Sequence, residues 1–146
     1  MKVIDSRLFY RLDSATIPKL GAIMKFLGTL EPLAYAAFRI VVGFLFMCHG
    51  AQKLFGAFGG HQTLHPPLML VAAIIEFGGG ILVILGLVTR FAAFIGSGEM
   101  AFAYFTVHQH RGLLPIQNGG EPAVLFCFAL LFIACYGSGK FAVHKD

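Results

Sequence analysis

Four long apolar stretches, each with few charged residues, fill most of the sequence. They cover about residues 33–54, 68–88, 91–107 and 123–136. A helix needs about 20 mostly apolar residues to cross a bilayer. Lipid offers no hydrogen-bond partner to the backbone, so a spanning segment has to be helical. The composition agrees, because 58% of the 146 residues are hydrophobic and 12% are charged. We therefore predict an all-α, integral membrane four-helix bundle.

Lysine and arginine are distributed unevenly around these stretches. Eight of them precede the first stretch, follow the last or separate the second from the third. On the opposite side are Lys53, at the end of the first stretch, and Arg111, in the connection before the last stretch. Because cytoplasmic segments are enriched in these residues, we expect both termini in the cytoplasm of a bacterium and the chain in its cytoplasmic (inner) membrane. Segments 55–67 and 108–121 then face outward.

The net charge of +4 is carried by basic residues that are thinly spread and mostly near the predicted membrane edges. This pattern favours anionic lipid headgroups as partners over nucleic acid.

Residues 1–32 form a separate N-terminal segment ahead of a transmembrane domain at 33–146. Helical spacing relates Ile17, Leu20, Met24, Leu27 and Leu30. We expect an amphipathic helix on the cytoplasmic membrane surface, and Pro32 to break it from the first span. The alternative is that this helix extends the first span.

Three carboxylate or guanidinium groups fall inside the apolar stretches: Arg39, Glu76 and Glu99. A charge at bilayer depth is costly and normally has a partner. Counted from the predicted ends of their spans, Arg39 and Glu99 lie at similar depth. We therefore predict a structural ion pair between them.

A second polar set lies near the outer end of the first span. His49 and Lys53 are four residues apart and share a helix face, with Gln52 beside them. Glu76 lies at a compatible depth in the second span. We predict that these residues form one cluster that either fixes helix register or handles protons and a quinone.

Metal chemistry has weak support in the sequence. The three cysteines lie in apolar stretches and form no CxxC pair. Outer histidines occur in an HxxxH and an HxH arrangement, at His61, His65, His108 and His110. No cysteine or aspartate accompanies them in the loops, so we expect no metal site, no catalytic set and no intrinsic cofactor.

Four motifs occur in order: FRIVVGFLFMCHGAQKLFG at 38–56, IIEFGGGILVILGLVTR at 74–90, NGGEPAVLF at 118–126 and YGSGKFAVHKD at 136–146. With them the chain resembles the DoxX family of small four-helix membrane proteins over about residues 33–145. The resemblance implies a functional or structural role for Arg39, His49, Gly50, Lys53 and Glu76. It implies the same for the turn formed by Asn118, Gly119, Gly120 and Glu121. The first 32 residues and Glu99 depart from the family pattern.

The resemblance implies a link to quinone-dependent oxidoreductases, since named members are subunits of such enzymes, including a thiosulfate:quinone enzyme. No haem, flavin or iron–sulfur motif is present, so we expect no enzyme activity from the chain alone. The leading hypothesis is a small accessory or structural subunit that binds other subunits of a larger membrane redox complex. The alternatives are a quinone-interacting subunit and, less well supported, a small transporter or metal-handling protein.

The charge asymmetry makes a topological prediction. Cysteines introduced at Gln62 and Gln117, in a chain freed of its own three cysteines, should react with a membrane-impermeant maleimide added outside intact cells. Labelling only after the cytoplasmic side is exposed would reverse the predicted orientation.

Overall fold

The computed structural model describes residues 16–144, which form helices and turns without a strand. The predicted all-α class is confirmed for this part of the chain. The chain falls into two compact units that divide between Pro32 and Leu33. Four of the basic residues used to orient the chain lie outside the described residues, namely Lys2, Arg7, Arg11 and Lys145.

The N-terminal unit contains helix α1, Thr16–Thr29. Its apolar residues Leu20, Met24 and Leu27 are about half exposed. The Thr29 hydroxyl donates to the Phe26 carbonyl at 2.6 Å near the helix end. A helix with exposed apolar side chains is what the sequence pattern requires, but its place on a membrane surface stays a prediction.

Five helices follow: α2 (Glu31–Phe55), α3 (Pro67–Leu85), α4 (Thr89–Ala103), α5 (Pro115–Asn118) and α6 (Glu121–Tyr136). By length and composition, α2 and α3 could each cross a membrane, and α6 is a shorter apolar helix of 16 residues. Beyond α4 the chain continues as a π-helical turn, Tyr104–His108, and a 3-10 turn, Gln109–Arg111.

Helices α2, α3, α4 and α6 share one apolar core. Phe46 of α2, Val83 of α3, and Leu130 and Ile133 of α6 are at most 1% exposed. Helix α4 contributes the small residues Ala92 and Ala93 to the same cluster. Small side chains let it lie close to both neighbours.

Glycines bring α2 and α3 into backbone contact. A Cβ atom on Gly50 would lie 2.3 Å from the Phe77 nitrogen, and one on Gly80 would lie 2.6 Å from the Met47 nitrogen. Gly43 lies at the same interface. A Cβ atom on Gly43 would be 3.0 Å from the Gly80 carbonyl oxygen. The two helices can adopt this separation only because these positions lack side chains.

At the far end of the core, the Arg90 guanidinium caps α6. It donates to the carbonyls of Ala134, Cys135 and Tyr136 at 3.1, 2.7 and 3.2 Å. The last carbonyls of a helix have no partner within the helix, and a cation there also opposes the helix dipole. Arg90 therefore ties the start of α4 to the end of α6.

The α2–α3 contact predicts different responses to one substitution at neighbouring glycines. Gly80→Ala should destabilise the protein by about 1–3 kcal/mol, because the new methyl group meets backbone atoms that cannot rotate away. Gly78→Ala on the same helix has no atom within 4 Å of the new Cβ. It should be neutral or stabilising by about 0.5–1 kcal/mol. Thermal unfolding of both variants in detergent, followed by circular dichroism, measures the difference, and equal melting temperatures would contradict it.

Candidate functional site

A cavity of about 390 Å³ opens among the end of α2, the start of α3, the end of α4, the π-helical turn and the start of α6. Most of its wall is apolar and includes Leu68, Met69, Ala72, Met100 and Phe126. Its polar side chains are His49, Lys53, Glu76, Glu99, Thr106 and His108. Ligand sites commonly have this combination of an apolar wall and a few convergent polar groups.

An ion pair between Lys53 and Glu76 crosses the wall from α2 to α3. The Lys53 Nζ and Glu76 Oε1 atoms are 2.6 Å apart. The side chain of Glu76 is 2% exposed and that of Lys53 is 30% exposed. Gly50 sets this geometry, because it packs against Ala73 and Phe77, and Lys53 and Glu76 lie within one turn of that contact on their helices.

His49 lies one turn before Lys53 and also lines the cavity. Its ring stands at 89° to that of Phe126, with the ring centroids 5.5 Å apart. The side chain is exposed, so it stands between the cavity and the surroundings. The structure thus brings together His49, Lys53 and Glu76, three of the four residues of the predicted outer set.

Gln52, the fourth residue of that set, lies elsewhere. Its side chain packs against Gly60, whose would-be Cβ would be 2.8 Å from the Gln52 Cβ. Gln52 is not part of the cavity wall. A step of one residue from Lys53 turns a side chain by about 100° around the helix axis, which directs Gln52 to the loop that follows α2.

The predicted ion pair between Arg39 and Glu99 is corrected by the structure, which places the two side chains at different ends of the core. Arg39 is 1% exposed. Its Nη1 donates to the carbonyls of Val83 and, at 2.8 Å, Ile84. Its Nη2 donates to the Phe141 carbonyl at 2.6 Å. Arg39 therefore joins the last turn of α3 to the C-terminal segment.

Glu99 is instead part of the cavity wall, together with Glu76. It is ten residues beyond the start of α4 at Thr89, or roughly 15 Å at 1.5 Å per residue. The depth estimated from the sequence took the third span to begin at Phe91, whereas α4 begins at Thr89. It also placed the charge of Arg39 at the level of its own Cα atom. In α2 that side chain reaches the α3–α4 turn, in line with the N-terminal tilt of helical side chains.

Two carboxylate oxygens in this wall lack a hydrogen-bond donor. The Oε2 atoms of Glu76 and Glu99 are both buried and neither has a partner among the described residues. Buried polar atoms are nearly always paired in folded proteins. Both atoms belong to residues of the same cavity wall, but each is itself buried rather than exposed to the cavity.

The turn from Asn118 to Glu121 closes the cavity beside α6. Asn118 is 4% exposed; its amide donates to the Gly112 carbonyl at 2.9 Å, and its Oδ1 accepts from the Gly120 N–H at 2.8 Å. Gly119, with φ of +71°, lines the cavity. Glu121 is exposed in the first turn of α6, where a negative charge suits the helix dipole.

Sequence reasoning missed the contribution of the π-helical turn. This turn places Thr106 and His108 in the wall, and π-helical segments are frequent at functional sites. The HxH spacing of His108 and His110 drew attention to the region, but for metal binding. Within residues 16–144, no group of three or more His, Cys, Asp or Glu side chains is arranged to hold a metal ion.

The Lys53–Glu76 pair predicts strong coupling in a double-mutant cycle. Lys53→Met alone should cost about 3–5 kcal/mol, because it leaves the buried Glu76 carboxylate without its cation. Adding Glu76→Gln should recover part of that loss, since no buried charge remains. Unfolding free energies of the two single variants and the double variant measure the coupling, and strictly additive losses would mean that the two residues act independently.

Comparisons with known proteins show a family relationship. Residues 34–109 match the DoxX family. The chain is 43% identical, over 129 residues, to an uncharacterized protein of Haemophilus influenzae, a match that covers 84% of this chain and 96% of the relative. No solved structure matches. The family is membrane-associated, and the described part of the chain has the apolar helices expected of such a protein. The chain belongs to the DoxX family.

Proposed function

We propose that this DoxX-family chain is a four-helix protein of the bacterial cytoplasmic membrane that binds a small lipid-soluble quinone in the cavity among α2, α3, α4 and α6. It does so as a subunit of a larger membrane redox complex. The observation that carries this proposal is the cavity of about 390 Å³ whose apolar wall contains the Lys53–Glu76 ion pair.

The surface of the helices supports the membrane part of the proposal. Large apolar side chains point outward from all four core helices, among them Phe44, Val71, Phe94 and Phe128. In water, an exposed apolar surface of this extent would be unfavourable by about 25 cal/mol per Å². In lipid it is the ordinary exterior of a bundle.

The positions of the basic residues support both termini on the cytoplasmic side. Arg39 and Arg90 hold the C-terminal segment and the end of α6 next to the α3–α4 turn, and Lys140 follows in that segment. At the other end, the Lys53 charge is balanced by Glu76. Since basic residues collect on the cytoplasmic face, the cavity lies in the outer half of the membrane.

The cavity suits the head of a quinone. Its volume lies within the roughly 300–1,000 Å³ typical of small-molecule sites. Met69, Met100 and Phe126 offer an apolar slot, and the exposed part of Lys53 offers an N–H donor. When bound, a quinone would supply the two-electron redox chemistry, with electrons delivered by a partner subunit.

The protein's own contribution would be to orient the ligand and to hold protons near it. Lys53 and Glu76 form a partly buried donor–acceptor pair at 2.6 Å. His49 stands one turn away on the exposed side of the same wall. An imidazole can both donate and accept a proton at its ring nitrogens, so His49 is placed to exchange protons between this pair and the surroundings.

A cavity-filling substitution tests the proposal. Ala72 lines the cavity, so Ala72→Phe should weaken the binding of a short-chain ubiquinone or menaquinone to the protein in nanodiscs by at least about tenfold, or 1.4 kcal/mol. Ala37→Phe is the matched control, because Ala37 is exposed on α2 and the same side chain would project away from the core. Isothermal titration calorimetry measures both affinities.

Two outcomes would contradict a quinone site. The first is wild-type protein that binds neither quinone. The second is binding that Ala72→Phe and Ala37→Phe weaken equally. If the protein binds no quinone but copurifies in fixed ratio with another membrane protein, the chain is an accessory subunit whose cavity serves no ligand of this class.

A further inference from the structure

We infer that α1 is a lipid-binding helix, which docks its apolar face on the membrane leaflet next to the start of α2 and needs anionic lipid there to do so. This inference rests on the membrane part of the proposed function and is independent of the quinone site. It comes from the exposed side chains of α1, from its charge and from the short connection that joins it to α2.

Large apolar side chains of α1 lie together on one face of the helix and are exposed. Leu20, Ile23, Met24 and Leu27 are spaced three or four residues from one another, so they share a face, and each is about half exposed. The opposite face carries small residues such as Ala22. Helix α1 therefore has the two-sided character of a helix that lies between an apolar and a polar medium.

The charge of α1 determines which kind of membrane surface it prefers. The helix contains two exposed lysines, Lys19 and Lys25, and no acidic residue. Lys19 precedes Leu20 and Lys25 follows Met24. Since one residue turns the helix by about 100°, the two lysines flank the apolar face on opposite sides. Side chains placed in this way reach the headgroups while the apolar residues enter the acyl boundary, and each lysine near an anionic leaflet strengthens binding by about fivefold.

The length of α2 and its connection to α1 leave a lipid surface as the cover for this face. Helix α2 has 25 residues, or roughly 37 Å at 1.5 Å per residue, whereas the hydrocarbon core of a bilayer is about 30 Å thick. Helix α2 is therefore long enough to cross the membrane without α1. Leu30 alone separates the end of α1 from the start of α2, so α1 is always within reach of the leaflet where α2 begins. Such a tether gives even a weak surface contact a high effective concentration.

Tryptophan fluorescence tests the inference, because the chain contains no tryptophan of its own. Leu27→Trp places the reporter on the apolar face, and Ala22→Trp is the matched control on the opposite face. Each full-length variant is reconstituted into phosphatidylcholine nanodiscs with or without phosphatidylglycerol, and brominated lipids act as quenchers. In the anionic nanodiscs we expect Leu27→Trp to be quenched at least about twofold more strongly than Ala22→Trp, and we expect this difference to fall without phosphatidylglycerol.

Three results would overturn the inference. Equal quenching at the two positions would mean that α1 does not dock on lipid, and a blue-shifted Leu27→Trp emission in that case would mean that protein covers the face. A difference of the same size in both lipid mixtures would remove the requirement for anionic lipid. Protein that cannot be reconstituted into nanodiscs would contradict the membrane placement itself, whereas failed docking in reconstituted protein leaves that placement standing.

Charge-removing variants assign the lipid preference to its cause. Lys19→Gln combined with Lys25→Gln, in the Leu27→Trp protein, should abolish the dependence of quenching on phosphatidylglycerol. Lys140→Gln removes a charge from an exposed position in the C-terminal segment and should leave that dependence unchanged. A dependence that survives the loss of both α1 lysines would overturn the role given to them.

Discussion

The close approach of α2 and α3 is the contact from which the site is built. Gly50 and Gly80 allow the two backbones to meet, and this separation brings the Lys53 ammonium within 2.6 Å of the Glu76 carboxylate. With bulkier residues at these positions the helices would separate, and a buried carboxylate would be left without its cation. Backbone packing and charge compensation are therefore parts of one arrangement.

The polar side chains at the two ends of the core have different kinds of partner. At the α3–α4 turn, Arg39 and Arg90 donate to backbone carbonyls of α3, α6 and the C-terminal segment. These hydrogen bonds are structural, because they hold the helix ends and the C-terminal segment together. At the other end, Glu76 and Glu99 each keep a buried oxygen that has no partner among the described residues. A buried polar atom without a partner among the described residues also occurs at the α3–α4 end, at Thr89 Oγ1, so the proposal of a ligand rests on the cavity between the helices at the other end.

The parts of the site that could be predicted from the sequence are those that depend on the spacing of residues within one helix. His49 and Lys53 were placed on one face from their spacing alone, because the helical repeat fixes which residues are neighbours. The position of Glu99 in the cavity wall could not be found in this way. A long side chain such as Arg39 can reach several ångströms along the helix axis, so depth counted at Cα atoms does not give the level of its charge. The π-helical turn at Tyr104–His108 was equally invisible, since it carries no sequence pattern of its own.

The sequence by itself determined the helical class, the family and the extent of the apolar segments. Each of these follows from composition, short motifs and a local requirement, since a backbone in lipid must satisfy its own hydrogen bonds. Only the tertiary structure decided which polar groups meet. It paired Lys53 with Glu76, moved Glu99 from a predicted ion pair into a cavity wall, and turned Arg39 to backbone carbonyls. These outcomes depend on helix separation and side-chain reach, which are set by contacts between residues far apart in the chain.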